Sequence, residues 1–317
     1  MSKTITIVAG IDVAKAKLDI AIHRCKLRWQ VTNDPAGFHD LAELLRSRKV
    51  CRVGLEATGG YERDVVEYLR KAGFNVVVLQ PRQVRAFAVF ILCRAKSDRI
   101  DAGLIAACVA HHRIEREAPD PRIAGFADQL TFIEQTEEDI VRIKVRLEHT
   151  RDPKLCHVML ADIERLKTRR AKMIARLVTV LRTHEDLARR LDLVGSIDGI
   201  GPRTAIAFII RMPELGRLSR EQAAALAGLA PFVHDSGDRK GERHIAGGRE
   251  RLRKSVYSAA LPAAFRWNTQ LMALYKRLTD AGKPHKLALV ACARKLVIFA
   301  NTVLARGAVW SSRPATS

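Results

Sequence analysis

"TITIVAGIDVAKAKLDIAIHR", residues 4–24, decides the fold. Apolar and β-branched residues fill two short runs, and small and basic residues part them. Such runs read as two strands joined by a tight turn at Lys15–Lys17, and "LRWQVTN" adds a third. Downstream the period changes. "DPAGFHDLAELLRSR" reads as a helix with Pro35 near its first turn, "RVGLEA" as a short buried strand, and "GYERDVVEYLRKAG" as an amphipathic helix ending at Gly73. "NVVVLQ" is another strand, whereas "PRQVRAFAVFI" and "KSDRIDAGLIAACVAHHR" are helical. Three consecutive strands followed by βαβ units predict an α/β domain, a mixed sheet with helices packed on it, over residues 1–122.

Four acids in this domain occupy positions where a carboxylate is costly. Asp12 ends the apolar run "TIVAGI", and Glu56 ends "RVGL". Asp98 and Asp101 stand three apart and share one face of a helix. Acids at the ends of buried strands need a cation or a basic partner. Duller roles exist for each: a turn at Asp12, a salt bridge from Glu56 to Arg52, a helix cap or a pairing with Arg94 for Asp98. Taken together, two strand-end acids and a helical pair point to a divalent cation. Oxygen-only ligation suits Mg²⁺ or Mn²⁺, which clamp a phosphodiester and stabilise its developing charge. Asp19, placed mid-strand on the solvated face, and Asp34, in a turn before Pro35, are weaker candidates.

Beyond the α/β domain the chain is helical. Residues 123–192 carry apolar residues at three- and four-residue spacing with dense charge between them, interrupted by Pro153. This predicts a helical hairpin or coiled-coil arm suited to self-association, with a plain intramolecular helix pair as the alternative. Residues 193–310 form a third region and 311–317 a tail. "GSIDGIGPRTAIAFI" has the form of a helix-hairpin-helix, in which Gly199 and Gly201 permit a tight turn. The N–H groups of the next helix, beside Arg203, can then hold a phosphate without reading sequence. In "PFVHDSGDRKGERHIAGG", residues 231–248, Ser236 is either a turn residue or a nucleophile. Arg239, Lys240, Arg243 and Arg249 could neutralise a phosphate there, and the four-acid site could take the proton. Arg249, Arg251, Arg253 and Lys254 cluster at a helix start, against the macrodipole preference, so the cluster needs an anion.

A net charge of +21 over 317 residues makes a polyanion the expected partner, nucleic acid ahead of an acidic membrane surface. Neither a lipidation signal nor an uninterrupted apolar stretch of membrane-spanning length is seen, and no membrane partner is expected. The six cysteines make no CxxC pair and no zinc spacing, which suits a reducing cytoplasm. With 5% aromatics, widespread base stacking is not expected. No GxxxxGK[ST] loop for a nucleotide is present.

"GIDVAKAKLDIAI", "GLEATGGYERDVVEYL" and "RAKSDRIDAGLIA" resemble the DEDD motifs of a bacterial insertion-sequence transposase family that includes Piv-type DNA invertases and bridge-RNA-guided recombinases. The resemblance implies an N-terminal domain with an RNase H-like fold, similar to the Holliday-junction resolvase RuvC. It implies that Asp12, Glu56, Asp98 and Asp101 are the four acids, with Lys15, Thr58 and Lys96 in supporting roles. "GLAPFVHDSGDRKGERHIAGGRERLRKSVYSAALPA" resembles the family's C-terminal transposase domain, whose catalytic serine precedes a glycine; that serine falls on Ser236.

What this implies is a Mg²⁺-assisted recombinase that acts on donor and target DNA through a phosphoserine link. A structured bridge RNA would be its guide, a dimer or tetramer its assembly, and the bacterial cytoplasm at the nucleoid its place. Two rival readings stand beside it: a metal-dependent Holliday-junction-type endonuclease in which Ser236 is structural, and a catalytically silent RNA-binding scaffold.

Overall fold

The computed structural model describes residues 7–93, 98–111, 120–232 and 244–311, with only the backbone described for residues 98–100 and for Phe232. Two compact units divide the chain, Met1–Ala118 and Pro119–Ser317.

In the first unit β1 (Val8–Val13), β2 (Lys17–Ile22) and β3 (Arg28–Thr32) form an antiparallel meander. Then follow α1 (Pro35–Ser47), β4 (Arg52–Glu56), α2 (Arg63–Lys71), β5 (Asn75–Leu79), α3 (Pro81–Phe90) and α4 (Asp98–His111). β4 joins β1 in parallel and β5 joins β4, giving the order β3-β2-β1-β4-β5. This is the mixed sheet with helices packed on it that the order of elements predicts. Alternation along β1 separates its two faces. Ala9, Ile11 and Val13 pack with Leu41 and Leu45 of α1 and Val65 and Leu69 of α2. Val8 packs on the other face with Ile105, Cys108 and Val109 of α4. Asp34 caps α1, its carboxylate accepting from the Gly37 N–H at 2.9 Å, so its place in the turn is structural.

The second unit begins with two long helices, α5 (Pro121–His149) and α6 (Pro153–Arg182), each started by an aspartate cap followed by proline. After them come α7 (Glu185–Gly195), α8 (Pro202–Arg211), α9 (Arg220–Leu226), β6 (Pro231–Phe232), β7 (His244–Ile245) and α10 (Glu250–Pro262). A π-helical turn, Ala263–Trp267, leads to α11 (Thr269–Asp280) and α12 (His285–Arg306). The region expected to stand apart at 123–192 is continuous with this unit. Ile123, Phe126, Leu130 and Ile133 of α5 and Leu177 and Leu181 of α6 enter the same core as Phe208, Val256 and Leu296. Apolar side chains are exposed toward the far ends of the pair, at Val141, Val145, Leu155 and Val158, and also at Phe132.

α12 is long and apolar enough to cross a membrane by length and composition, an 18-residue window of it averaging a hydropathy of 1.8, with Arg294 and Lys295 interrupting the run. It packs as a core helix: Leu289, Cys292, Leu296 and Ala300 are wholly enclosed by the rest of the unit.

Candidate active site

Strand register brings the first two acids together. β1 and β4 run in parallel with Ile11 opposite Leu55, so the next residues, Asp12 and Glu56, are neighbours at the same end of the sheet. Gly10 and Gly54 show which face these acids share. A Cβ on Gly10 would lie 2.2 Å from the Ala106 N, and one on Gly54 would lie 2.2 Å from the Val109 Cγ2. Both glycines therefore face α4, and Asp12 and Glu56, two residues on, project to that side.

The direction of α4 completes the arrangement. Its residues 102 and 106 straddle Gly10, whereas Cys108 and Val109 meet Val8 at the start of β1. The helix thus runs against β1 and begins at the strand end that carries Asp12. Asp98 and Asp101 lie in its first turns. Asp12, Glu56 and Asp101 are each half-buried. The side chain of Asp98 lies outside the described residues, as does Lys96. Among the described residues no group of three or more Asp, Glu, His or Cys is placed to hold a metal ion by itself. The donors gathered at this sheet end are all carboxylates, a chemistry that fits a hard divalent cation.

Asp19 is the acid that sequence reasoning placed wrongly. It stands directly opposite Asp12 across the antiparallel β1–β2 pair, hence on the α4 face. Its side chain is only 13% exposed and is held by Lys17 at 3.1 Å and by Gln30, which donates at 2.6 Å. β3 covers the strand that was read as solvated. The turn length carried the signal: closing the hairpin around Lys15 pairs residue 12 with residue 19. Lys15 itself is exposed in that turn.

Thr58 and Glu62 shape the loop after β4. The Glu62 carboxylate accepts from the Thr58 N–H at 3.1 Å, the Thr58 hydroxyl at 3.0 Å and the Gly60 N–H at 2.9 Å. Burial pushes this carboxyl up, but the backbone N–H groups of Glu62, Gly60 and Thr58 and the Thr58 hydroxyl outweigh it and hold it below its ordinary value.

In the second unit a short turn over residues 196–201 joins α7 and α8. Gly199 adopts φ +93°, and a Cβ there would come within 2.4 Å of the Ala263 Cβ. Gly201 is the N-cap residue of α8, and a Cβ on it would meet nothing within 4 Å.

The described cations of the serine region have protein partners. Arg203 forms a forked pair with Glu137 and donates to the Ser255 hydroxyl at 3.1 Å. Arg249 forms a forked pair with Glu214 at 2.6 and 2.8 Å. Arg253 donates to the Gly247 carbonyl at 2.5 Å. Buried Glu134 takes Arg211 at 2.8 Å and Arg251 at 3.0 Å. The anion that the 249–254 cluster needed is thus supplied in part by Glu134, Glu214 and Glu250, the last paired with Lys254. Ser236, Arg239, Lys240 and Arg243 lie outside the described residues. What brackets them is the β6–β7 pair, Phe232 opposite His244, and the base of α10, whose Arg249 N–H donates to the Leu226 carbonyl at 2.9 Å.

Residues 9–152 match the DEDD transposase domain of the IS110 group, described as "Transposase". Residues 191–276 match the domain described as "Transposase IS116/IS110/IS902 family". The pilin gene-inverting proteins of Moraxella bovis and Moraxella lacunata are each 24% identical over 326 aligned residues, covering 99% of this chain and 99% of theirs. Among solved structures, T. thermophilus RuvC in complex with a Holliday junction substrate aligns at 18% identity and TM-score 0.27, over 33% of this chain and 92% of that one.

Proposed function

We propose, from a chain built of two IS110-family transposase domains in order, a recombinase that cleaves and exchanges DNA strands of a mobile element. The carrying observation is the meeting of Asp12, Glu56 and the start of α4 at one end of the sheet. Relatives of full matching length, named for gene inversion, support strand exchange over simple cleavage.

Asp12, Glu56, Asp98 and Asp101 would hold Mg²⁺ or Mn²⁺, which supplies charge stabilisation at a phosphodiester. Ser236 acts as nucleophile. Its Oγ forms a bond to phosphorus, the ester bond to one DNA strand breaks, and the departing sugar oxygen takes up a proton. The hydroxyl gives up its proton as the bond forms. Because the serine–phosphate link keeps the energy of the broken ester, a sugar hydroxyl can reverse the step on a new strand without ATP. A structured RNA that pairs with donor and target DNA sets specificity, consistent with a net charge of +21. A dimer or tetramer in the bacterial cytoplasm is the working form.

Ser236→Ala and Asp12→Ala, assayed on element-end DNA with co-purifying RNA retained, test the mechanism. Both variants are expected to lose cleavage, while the wild type leaves a protein–DNA adduct that survives denaturation. Full cleavage by Ser236→Ala would overturn the serine step and favour the metal-dependent endonuclease. Metal-independent RNA binding with no DNA chemistry in the wild type would favour the silent scaffold.

A further inference from the structure

The chain after α10 leaves α-helical geometry at Pro262 and makes a π-helical turn over Ala263–Trp267. A widened turn of this kind is a local cost that recurs at functional sites. Here it throws two aromatic residues outward, Phe265 at 48% exposure and Trp267 at 61%. Phe265 meets two further rings. Its ring centroid lies 4.8 Å from that of Tyr275 on α11, edge to face, and 6.3 Å from that of His285 on α12, nearly parallel. The Tyr275 hydroxyl and His285 Nδ1 are hydrogen-bonded at 2.5 Å. Three rings from three elements thus make one cluster in a chain with only 5% aromatics.

The support behind the turn is fixed. Asn268 is 1% exposed, donates to the Asp198 carbonyl at 3.2 Å and caps α11 by accepting from the Leu271 N–H at 3.1 Å. Asp198 belongs to the hairpin between α7 and α8, and Gly199 of that hairpin presses on Ala263. The cluster therefore borders the hairpin whose following helix, α8, presents its N–H groups next to the unobstructed Gly201. Arg266, Lys283 and Lys286, on the same segments, are all exposed.

Flat rings open to solvent, with exposed cations on the same segments, match one ligand chemistry: a nucleobase with a free π face joined to a phosphate backbone. A duplex hides those faces in its own stack. We propose that Phe265, with Trp267, Tyr275 and His285, is a stacking platform for an unpaired base of single-stranded DNA. The backbone phosphates would track the cations beside it. Strand exchange exposes such bases, so this site rests on the reading of the chain as a DNA-processing protein. It draws on none of the four acids and not on Ser236.

The test uses the full-length protein, freed of nucleic acid, with fluorescent oligothymidylate of about twenty nucleotides, a length spanning more than one stacking site. A DNA duplex and oligouridylate serve as the other probes. Phe265→Ala and Trp267→Ala are expected to weaken oligothymidylate binding about tenfold each, the size of one lost base stack, and to leave duplex affinity unchanged. Oligothymidylate is also expected to quench tryptophan fluorescence in the wild type and less in Trp267→Phe. Unchanged oligothymidylate affinity in both alanine variants would overturn the platform. So would an equal loss on the duplex, and tighter, Phe265-dependent binding of oligouridylate would overturn its assignment to DNA. Failure of the wild type to bind either DNA probe would instead overturn the DNA reading itself.

Discussion

Asp12 and Asp19 face each other across the antiparallel β1–β2 pair, two carboxylates on the same side of the sheet. Like charges so placed destabilise a sheet unless a cation intervenes. Lys17 and Gln30 engage Asp19, which separates the roles of the two acids. Asp12→Asn is expected to abolish cleavage at any Mg²⁺ concentration. Asp19→Asn is expected to keep it, with half-saturating Mg²⁺ raised within about tenfold, because Lys17 already offsets most of that charge. A Mg²⁺ titration of cleavage checks both, and a dead Asp19→Asn at saturating Mg²⁺ would make it a fifth essential acid.

Gly10 lets α4 lie directly on β1. A Cβ there would press on backbone, 2.2 Å from the Ala106 N and 2.3 Å from the Ala102 carbonyl oxygen, where no side chain can swing away. Gly10→Ala is expected to destabilise the first unit by roughly 1–3 kcal/mol and to move the helix start that carries Asp98 and Asp101. Urea denaturation should show the first effect, and cleavage measured well below the melting temperature the second.

Glu62 makes the loop after β4 sensitive to acid. Its folded-state carboxyl lies below the ordinary value of 4.5, so its stabilisation is present above that value and is lost as pH falls through the folded one. Glu62→Gln is expected to be less stable than wild type at neutral pH, with the gap closing as pH falls below 4.5. Thermal melts of the two proteins across that range measure the difference directly.

Much of this was legible because period and register are local. The alternation in "TITIVAGIDVA" and "KLDIAIHR" revealed two inner strands of the sheet, β1 and β2, and the acids ending β1 and β4 stood out because an apolar run stopped at each. What stayed hidden has one source, the packing of one element over another. Asp19 was judged solvated because a single strand does not reveal that a neighbour and α4 cover it. The protein partners of the cations near 249–254 were hidden too, because Glu134 and Glu214 lie 117 and 35 residues away in sequence from Arg251 and Arg249. The π-helical turn left no trace beyond Pro262, since proline more often ends a helix than widens it.

Glu134 is the hub of the second unit's buried charge. It is 6% exposed and faces Arg211, Arg251 and, at 3.9 Å, Arg203. Removing the acid leaves guanidinium groups opposed with their shared anion gone. Glu134→Ala is expected to cost about 3–5 kcal/mol in chemical denaturation, whereas truncation of exposed Glu250 should cost far less. Arg251 lies in the first turn of α10, so the loss should also loosen the helix that follows Ser236.

The far ends of α5 and α6 leave apolar side chains without partners inside the unit. Val141 and Val145 follow each other by one turn of α5, at 58% and 49% exposure, and Leu155 and Val158 do so on α6, at 52% and 57%. A second copy of this chain is the proposed cover, since each stripe is flanked by charges that would keep an isolated pair of helices soluble. Val145→Glu with Val158→Glu is expected to shift the protein toward monomer in analytical ultracentrifugation, with helix content unchanged by circular dichroism. If the working site draws its acids and its serine from different copies, the same double variant should lose strand exchange while still binding DNA. A monomeric variant with full activity would place acids and serine within one chain.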